Sequence, residues 1–279
     1  MPPRMPDVGM PRSLALVGAG KMGGAMLEGW LETGLPGPAV SVYDPHVSPA
    51  MAALAERAGV ILNPPEEARV APDVLVLAIK PQMLESAAPG IRPLVGAGTL
   101  VVSVLAGKTV ANLASALPEA RAVVRAMPNL PASIGKGATG AFANEAVAEA
   151  QRAVADALLR ASGLVEWVED EGLIDAVTGL SGSGPAYVFH MVEAMAEAGV
   201  AAGLPADLAM RLARATVVGA GALLAESDLP AETLRANVTS PGGTTAAGLA
   251  VLMRAENGLA SLMRETVAAA RRRAQELSG

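Results

Sequence analysis

The run Ser13 to Gly24, SLALVGAGKMGG, constrains the fold more than any other stretch of the chain. Four apolar residues, Leu14 to Val17, lead directly into Gly18-Ala19-Gly20-Lys21-Met22-Gly23, and a helix-like segment follows towards Gly34. A strand, a G-x-G-x-x-G turn and a helix together form the dinucleotide fingerprint. In it Gly18 makes the tight turn, Gly20 lets backbone approach a pyrophosphate, and Gly23 lets the helix lie close on the strand. The helix N-terminus then holds the anion.

The pattern that follows extends this beginning into a doubly wound α/β half. Ala39 to Tyr43 reads as a second strand ending at Asp44. That acid lies about 20 residues beyond the glycines, where a carboxylate meets an adenosine ribose. It is equally a turn residue before Pro45. No Arg or Lys follows closely to hold a 2′-phosphate, only His46, so NADH is slightly favoured over NADPH. A helix is expected over Pro49 to Ala58 and a short strand over Val60 to Leu62. Asp73 to Ile79 is an unbroken apolar run, as a parallel strand buried on both faces requires. It exits through Lys80-Pro81-Gln82. Thr99 to Val104 and Ala120 to Ala126 repeat the pattern, exiting through Ala106-Gly107 and Met127-Pro128-Asn129-Leu130-Pro131. Such exits line a common crevice at the carboxyl edge of an open sheet.

Beyond Gly163 to Val168 the strand-like runs stop, and Glu171 to Gly279 reads as successive helices. Helices are expected over Gly184 to Gly203, Pro205 to Ser227, Gly243 to Ala255 and Asn257 to Leu277. The chain of 279 residues thus divides into a loose leader (1–12), a Rossmann-type sheet domain (13–168) and an all-helical domain (169–279). Residues are 52% hydrophobic but only 2% aromatic, so Ala, Val, Leu and the 13 Met must supply the packing. No uninterrupted apolar run reaches the roughly 18 residues of a membrane span. The excess apolar surface of the helical half therefore predicts self-association, with no membrane partner. A net charge of −6 argues against nucleic acid, and Arg271-Arg272-Arg273 reads as cations near a helix C-terminus. Cysteine is absent, which excludes disulfides and thiolate chemistry. With no secretory pattern visible, a cytoplasmic location is expected.

Two glycine-rich stretches interrupt the helical half, Gly179-Leu180-Ser181-Gly182-Ser183-Gly184-Pro185-Ala186-Tyr187 and Asn237-Val238-Thr239-Ser240-Pro241-Gly242-Gly243-Thr244-Thr245. Each places hydroxyls and backbone N–H groups before a helix, which suits either a carboxylate or simple capping. All four lysines lie in the first half. His190, the one histidine of the second half, stands beside Phe189, Met191 and Val192 and reads as a packed core residue. No metal-ligand spacing is present. Hydride transfer that needs little proton handling fits this inventory, and reduction of a C=N bond is such a reaction. The imine can enter protonated, and a hydroxyl from Thr245 or Ser240 can face its nitrogen.

These residues resemble pyrroline-5-carboxylate reductases over essentially the whole chain from Ser13. The resemblance rests on the fingerprint, Ala78-Ile79-Lys80-Pro81, the Ser103–Gly107 exit and Arg125-Ala126-Met127-Pro128-Asn129. It rests above all on Asp175 to Tyr187 and Ser240-Pro241-Gly242-Gly243-Thr244-Thr245. It implies NADPH or NADH as cofactor and 1-pyrroline-5-carboxylate as substrate, with L-proline as product. By position, Val17, Gly18, Ala19, Gly20, Lys21, Met22, Asp44, Ala78, Ile79, Lys80, Pro81, Val104, Leu105 and Ala106 would contact the cofactor. Glu171, Asn237, Thr244 and Thr245 would lie at the substrate, with Ser240 supporting the loop and Thr245 donating to the ring nitrogen. A homodimer through the helical domain, assembled in some members into a decamer, is implied as well. Leu130 departs from the Thr of many relatives, and Asp44 from a frequent Ser or Thr. The second departure predicts comparable use of both cofactors or a lean to NADH. A reductase of another cyclic imine and a non-catalytic dinucleotide-binding subunit are the rival readings.

Overall fold

The computed structural model describes residues 9–278. Most of the expected leader, residues 1–8, lies outside the described residues; Arg12, at its end, pairs with Asp73 at 3.3 Å. The chain opens with β1 (Leu14–Val17), α1 (Lys21–Glu32), β2 (Val40–Tyr43), α2 (Pro49–Ala58) and β3 (Ile61–Leu62). It continues through β4 (Val74–Leu77), α3 (Leu84–Ile91), β5 (Leu100–Ser103), α4 (Val110–Ala116) and β6 (Ala122–Met127). Then come β7 (Gly137–Ala143), α5 (Glu149–Arg160), β8 (Gly163–Trp167) and α6 (Leu173–Val177). The rest is helical: α7 (Gly184–Ala201), α8 (Ala206–Glu226), α9 (Ala231–Asn237), α10 (Thr244–Leu252) and α11 (Leu259–Ser278).

The strands form one eight-stranded sheet in the order β3-β2-β1-β4-β5-β6-β7-β8. Strands β1 to β6 are parallel, β7 is antiparallel to β6, and β8 runs parallel to β7. The order reverses between β1 and β4, so the turns leaving these two strands flank the switch point where an open α/β sheet binds its ligand. Burial on both faces explains the unbroken apolar runs. Leu14 and Leu16 join one core with Met26, Leu27 and Trp30, while Ala15 and Val17 join a second core with Leu84 and Leu113. Trp30 is fully buried and donates its indole N–H to the Leu158 carbonyl at 2.8 Å, tying α1 to α5.

Strand β7 has no counterpart in the sequence reading. Gly137-Ala-Thr-Gly-Ala-Phe-Ala carries few of the residues that favour strands, and its pairing is imposed from outside. Gly140 shows the reason for the small residues, because a Cβ there would stand 2.7 Å from both methyls of Val177.

The first glycine-rich stretch is not the loop that the sequence suggests. Helix α6 continues through a π-helical turn, Thr178–Gly182, with the Ser183 N–H donating to the Thr178 carbonyl at 2.9 Å, and α7 begins one residue later. No helix N-terminus is therefore exposed at Gly184, and no carboxylate site arises there. The described residues form two compact units, 9–183 with 270–278, and 184–269. The sequence boundary at 168/169 marks where the strands end. The compact boundary lies beyond it because residues 169–183 pack on the sheet, with Val177 on β7 and Ser181 hydrogen-bonded to Asn129.

In the second unit α7 and α8 pair closely, since a Cβ on Gly199 would lie 3.1 Å from that of Ala209. Only Ala196, Ala209 and Ala213 of these two helices are buried. Phe189, Val218 and Leu223 are exposed. His190 is not a core residue of this chain. Its side chain is 82% exposed and meets Glu193 at 3.0 Å, because the face it shares with Phe189 is left uncovered. By length and composition α8 could also cross a membrane, although no uninterrupted apolar run in the sequence is that long. Replacing Trp30 by Ala empties a large core site and orphans the Leu158 carbonyl. Denaturant unfolding should show a loss of about 3–5 kcal/mol.

Candidate active site

The turn after β1 has the geometry its glycines require. Gly18 has φ +94° and abuts the Ala78 carbonyl, at 2.7 Å from where a Cβ would be. A Cβ on Gly23 would collide with the Gly18 carbonyl oxygen. Around Gly20 there is open space within 4 Å. Helix α1 begins after Gly20 without a side-chain cap and without an acid in its first turn. Its leading N–H groups thus remain available to an anion. Beside this helix start lies a cavity of about 520 Å³ lined by Gly20, Lys21, His46, Ser48, Leu130 and Ser133 among others. Close backbone approach, an uncapped helix start and a neighbouring lysine fit the pyrophosphate of a nicotinamide dinucleotide.

The other expected cofactor residues stand on the same carboxyl edge. Ala78 N–H bonds the Val17 carbonyl at 2.8 Å, and Val104 N–H bonds the Leu77 carbonyl at 3.0 Å, so three strand exits are locked in step. Ile79 is half-buried, and Lys80 is exposed just before the 3₁₀ turn Pro81–Met83. Met22 is half-buried on α1, and Ala106 is exposed. Val17 and Leu105 point into the core, so only their backbones can face a ligand. Asp44 is already engaged: its carboxylate accepts the Ala19 N–H and the His46 N–H, both at 2.7 Å.

Glu171 also has partners of its own. One carboxylate oxygen accepts the Val110 N–H at 2.7 Å at the start of α4, and it meets the Arg125 guanidinium at 3.3 Å. Arg125 is almost wholly buried on β6 and pairs at the same distance with Asp175 of α6. In the sequence Arg125 and Asp175 belong to the motifs that carry the resemblance, with no role attached to either. A buried arginine implies carboxylate partners, but only the fold shows which ones. Nearby, the Asn129 amide donates to the Ser181 carbonyl at 3.2 Å and accepts the Ala138 N–H at 2.9 Å, joining β6, β7 and the π turn.

The remaining expected residues lie in the second unit. Asn237 closes α9, a helix that the sequence reading did not include. Ser240 sits in the following turn, where Gly242 has φ +69° and Gly243 stands too close to the Ser240 hydroxyl to carry a side chain. Thr244 and Thr245 begin α10, again without a side-chain cap. Asn237, Ser240, Thr244 and Thr245 are all exposed in the single chain. Asn63 was not anticipated as a functional residue. Its one sequence signal, an Asn before Pro64-Pro65 after a short strand, marks only a turn.

Together these features define a nucleotide-dependent oxidoreductase, with a doubly wound dinucleotide half and a helical half carrying a hydroxyl-rich loop. The comparisons with known proteins specify it further. Residues 171–277 match the family described as pyrroline-5-carboxylate reductase dimerisation, and residues 13–107 match one described as NADP oxidoreductase coenzyme F420-dependent. The chain is 38% identical to a pyrroline-5-carboxylate reductase of Pseudomonas aeruginosa over 95% of its own length and 96% of that protein's. The structure of a Coxiella burnetii pyrroline-5-carboxylate reductase superposes with a TM-score of 0.88 at 34% identity, covering 97% of this chain and 100% of that one. A Plasmodium falciparum pyrroline carboxylate reductase with NADP bound superposes at 0.80 with 27% identity, over the same shares. The chain belongs to the pyrroline-5-carboxylate reductase family.

Arg125 and Asp175 are buried together while Glu171 is only half-buried, so removing Asp175 leaves the guanidinium one partly exposed partner. Asp175→Ala should cost roughly 3 kcal/mol in denaturant unfolding, at the lower end for a broken buried pair because Glu171 remains.

Proposed function

We propose that the chain reduces the C=N bond of 1-pyrroline-5-carboxylate to give L-proline, with Thr245 as the group that faces the ring nitrogen. Likeness to named reductases over 95% of the chain carries the reading. Either NADH or NADPH serves, and when bound it supplies the hydride. The chain's own residues do the rest by placement. The first N–H groups of α10 and the Thr244 hydroxyl hold the substrate carboxylate, as an uncapped helix start allows. Asn237 and Ser240 frame the turn, with Glu171 assigned to the substrate by resemblance. The imine enters protonated. As hydride adds to its carbon, the C=N electron pair becomes a lone pair on nitrogen, and the Thr245 hydroxyl donates to it. A donor aimed at the electron density that develops on nitrogen during the reaction accelerates it.

Purified protein should oxidise NADH and NADPH rapidly in the presence of 1-pyrroline-5-carboxylate and yield proline. Thr245→Ala should lower kcat by about 10²-fold, the usual effect of losing one positioned donor. Unchanged turnover in the variant would keep the reaction and discard Thr245 as donor. Absence of oxidation would point to another cyclic imine or to a non-catalytic subunit.

The helical unit is the dimerisation element, and a decamer assembled from such dimers is the larger assembly we infer. Val218 is 72% exposed, and with Phe189, Val192, Met210 and Val217 it lines a mostly apolar hollow of about 470 Å³ on the unit's own surface, which Glu193 and Arg214 also border. Apolar patches of this kind mark an interface. On this reading α8 is covered by a second copy and not by lipid, and the acidic, cysteine-free chain acts in the cytoplasm. Light scattering should give a dimer or a multiple of it for the native chain and a smaller species for Val218→Glu.

A further inference from the structure

Strand β3 has only two residues, pairing Ile61 with Ser41 and Leu62 with Val42 of β2. The ladder nevertheless continues beyond it. Asn63 N–H donates to the Val42 carbonyl at 2.7 Å, and the Asn63 side chain then takes over from the backbone. Its Oδ1 accepts the Asp44 N–H at 2.9 Å, and its Nδ2 donates to the Asp44 carbonyl at 2.8 Å. A side-chain amide offers the same acceptor and donor as a peptide group, so Asn63 supplies the missing rung. Neither an acid nor a hydroxyl could supply both bonds in this geometry. Asn63 holds φ +44°, a left-handed conformation that Asn tolerates better than most residues but that is sparsely populated before a proline. Such a conformation persists only where its surroundings determine it. Here the pair of hydrogen bonds to Asp44 is that determinant.

Asp44 is thereby fixed at its backbone while its carboxylate holds the Ala19 N–H of the glycine turn and the His46 N–H. We propose that Asn63 is a positioning residue for cofactor choice, acting through Asp44 to hold its carboxylate beside the glycine turn, where it favours an unphosphorylated adenosine ribose. The inference rests on the dinucleotide reading of that turn. Freed from Asn63, Asp44 could swing away, weakening the contact to a ribose hydroxyl and relieving repulsion towards a 2′-phosphate.

The test is direct binding of NADH and NADPH, followed by nicotinamide fluorescence without any imine substrate. The native protein, Asn63→Gly, Asp44→Ser and the double variant are compared. Glycine keeps the left-handed backbone and removes only the amide. Without the two bonds the binding-competent placement of Asp44 is only fractionally populated, which should raise the Kd for NADH about five- to tenfold. The Kd for NADPH should rise less, so the NADPH-to-NADH affinity ratio increases, with KM for NADH rising and kcat falling less than twofold. In the Asp44→Ser background, where that ratio is already raised, Asn63→Gly should change it by less than about twofold, as coupled residues require. An equal loss for both cofactors with the ratio unchanged overturns the proposal, since a merely structural role predicts it. So does an equal shift of the ratio with and without Asp44. If Asn63→Gly fails to fold, Asn63→Ser, which can make one of the two bonds, gives the same readout in smaller measure. Failure of the native protein to bind either nucleotide would instead overturn the dinucleotide reading itself.

Discussion

The close approach of Gly23 to the carbonyl of Gly18 is the constraint on which the rest of the nucleotide half depends. It brings the start of α1 directly over the end of β1, leaving the helix's leading N–H groups without internal partners at the sheet's carboxyl edge. Because β1 neighbours both β2 and β4, the same turn touches both exits. Gly18 donates to the Tyr43 carbonyl at 2.9 Å and lies against the Ala78 carbonyl. A side chain on either glycine would push the helix from the strand and open the crevice. The two apolar cores then complete the layer arrangement around a strand whose alternate residues face opposite sides.

Where the physics is local, the sequence reveals it. The fingerprint, the buried parallel strands and four of the helices beyond residue 183 were legible because apolar period and glycine spacing are local signals. The loop from Ser240 to Thr245 was legible for the same reason. Strand β7 was not, since Gly and Ala give it no strand preference and its register depends on β6 and Val177. The glycine-rich run at 179–187 misled because glycines that signal a turn can equally admit a π turn packed on the sheet. His190 misled because an apolar neighbourhood along the chain became an uncovered face in three dimensions. Two partnerships were invisible for want of any local pattern, that of Arg125 with Glu171 and Asp175, and that of Asn63 with Asp44.

The two halves solve different problems with different materials. In the sheet half, large apolar residues are buried and polar groups near the edge are paired with backbone, which holds three strand exits in fixed relation. In the helical unit the helices pair through alanine and glycine, and many of the larger apolar residues face outward. A unit built this way cannot cover its own surface, which agrees with the match of residues 171–277 to a dimerisation family.

Both tryptophans of the chain, Trp30 and Trp167, belong to the nucleotide half. Trp30 is sealed in the core, whereas Trp167 donates to Asp156 at 2.9 Å and lies under the Arg152 guanidinium, 4.5 Å from its ring centre. Intrinsic tryptophan emission consequently watches one half of the molecule and has no emitter in residues 184–269. Melting followed by emission tracks the sheet, while far-ultraviolet dichroism weighs the helices, and any gap between the two curves measures how separately the halves unfold.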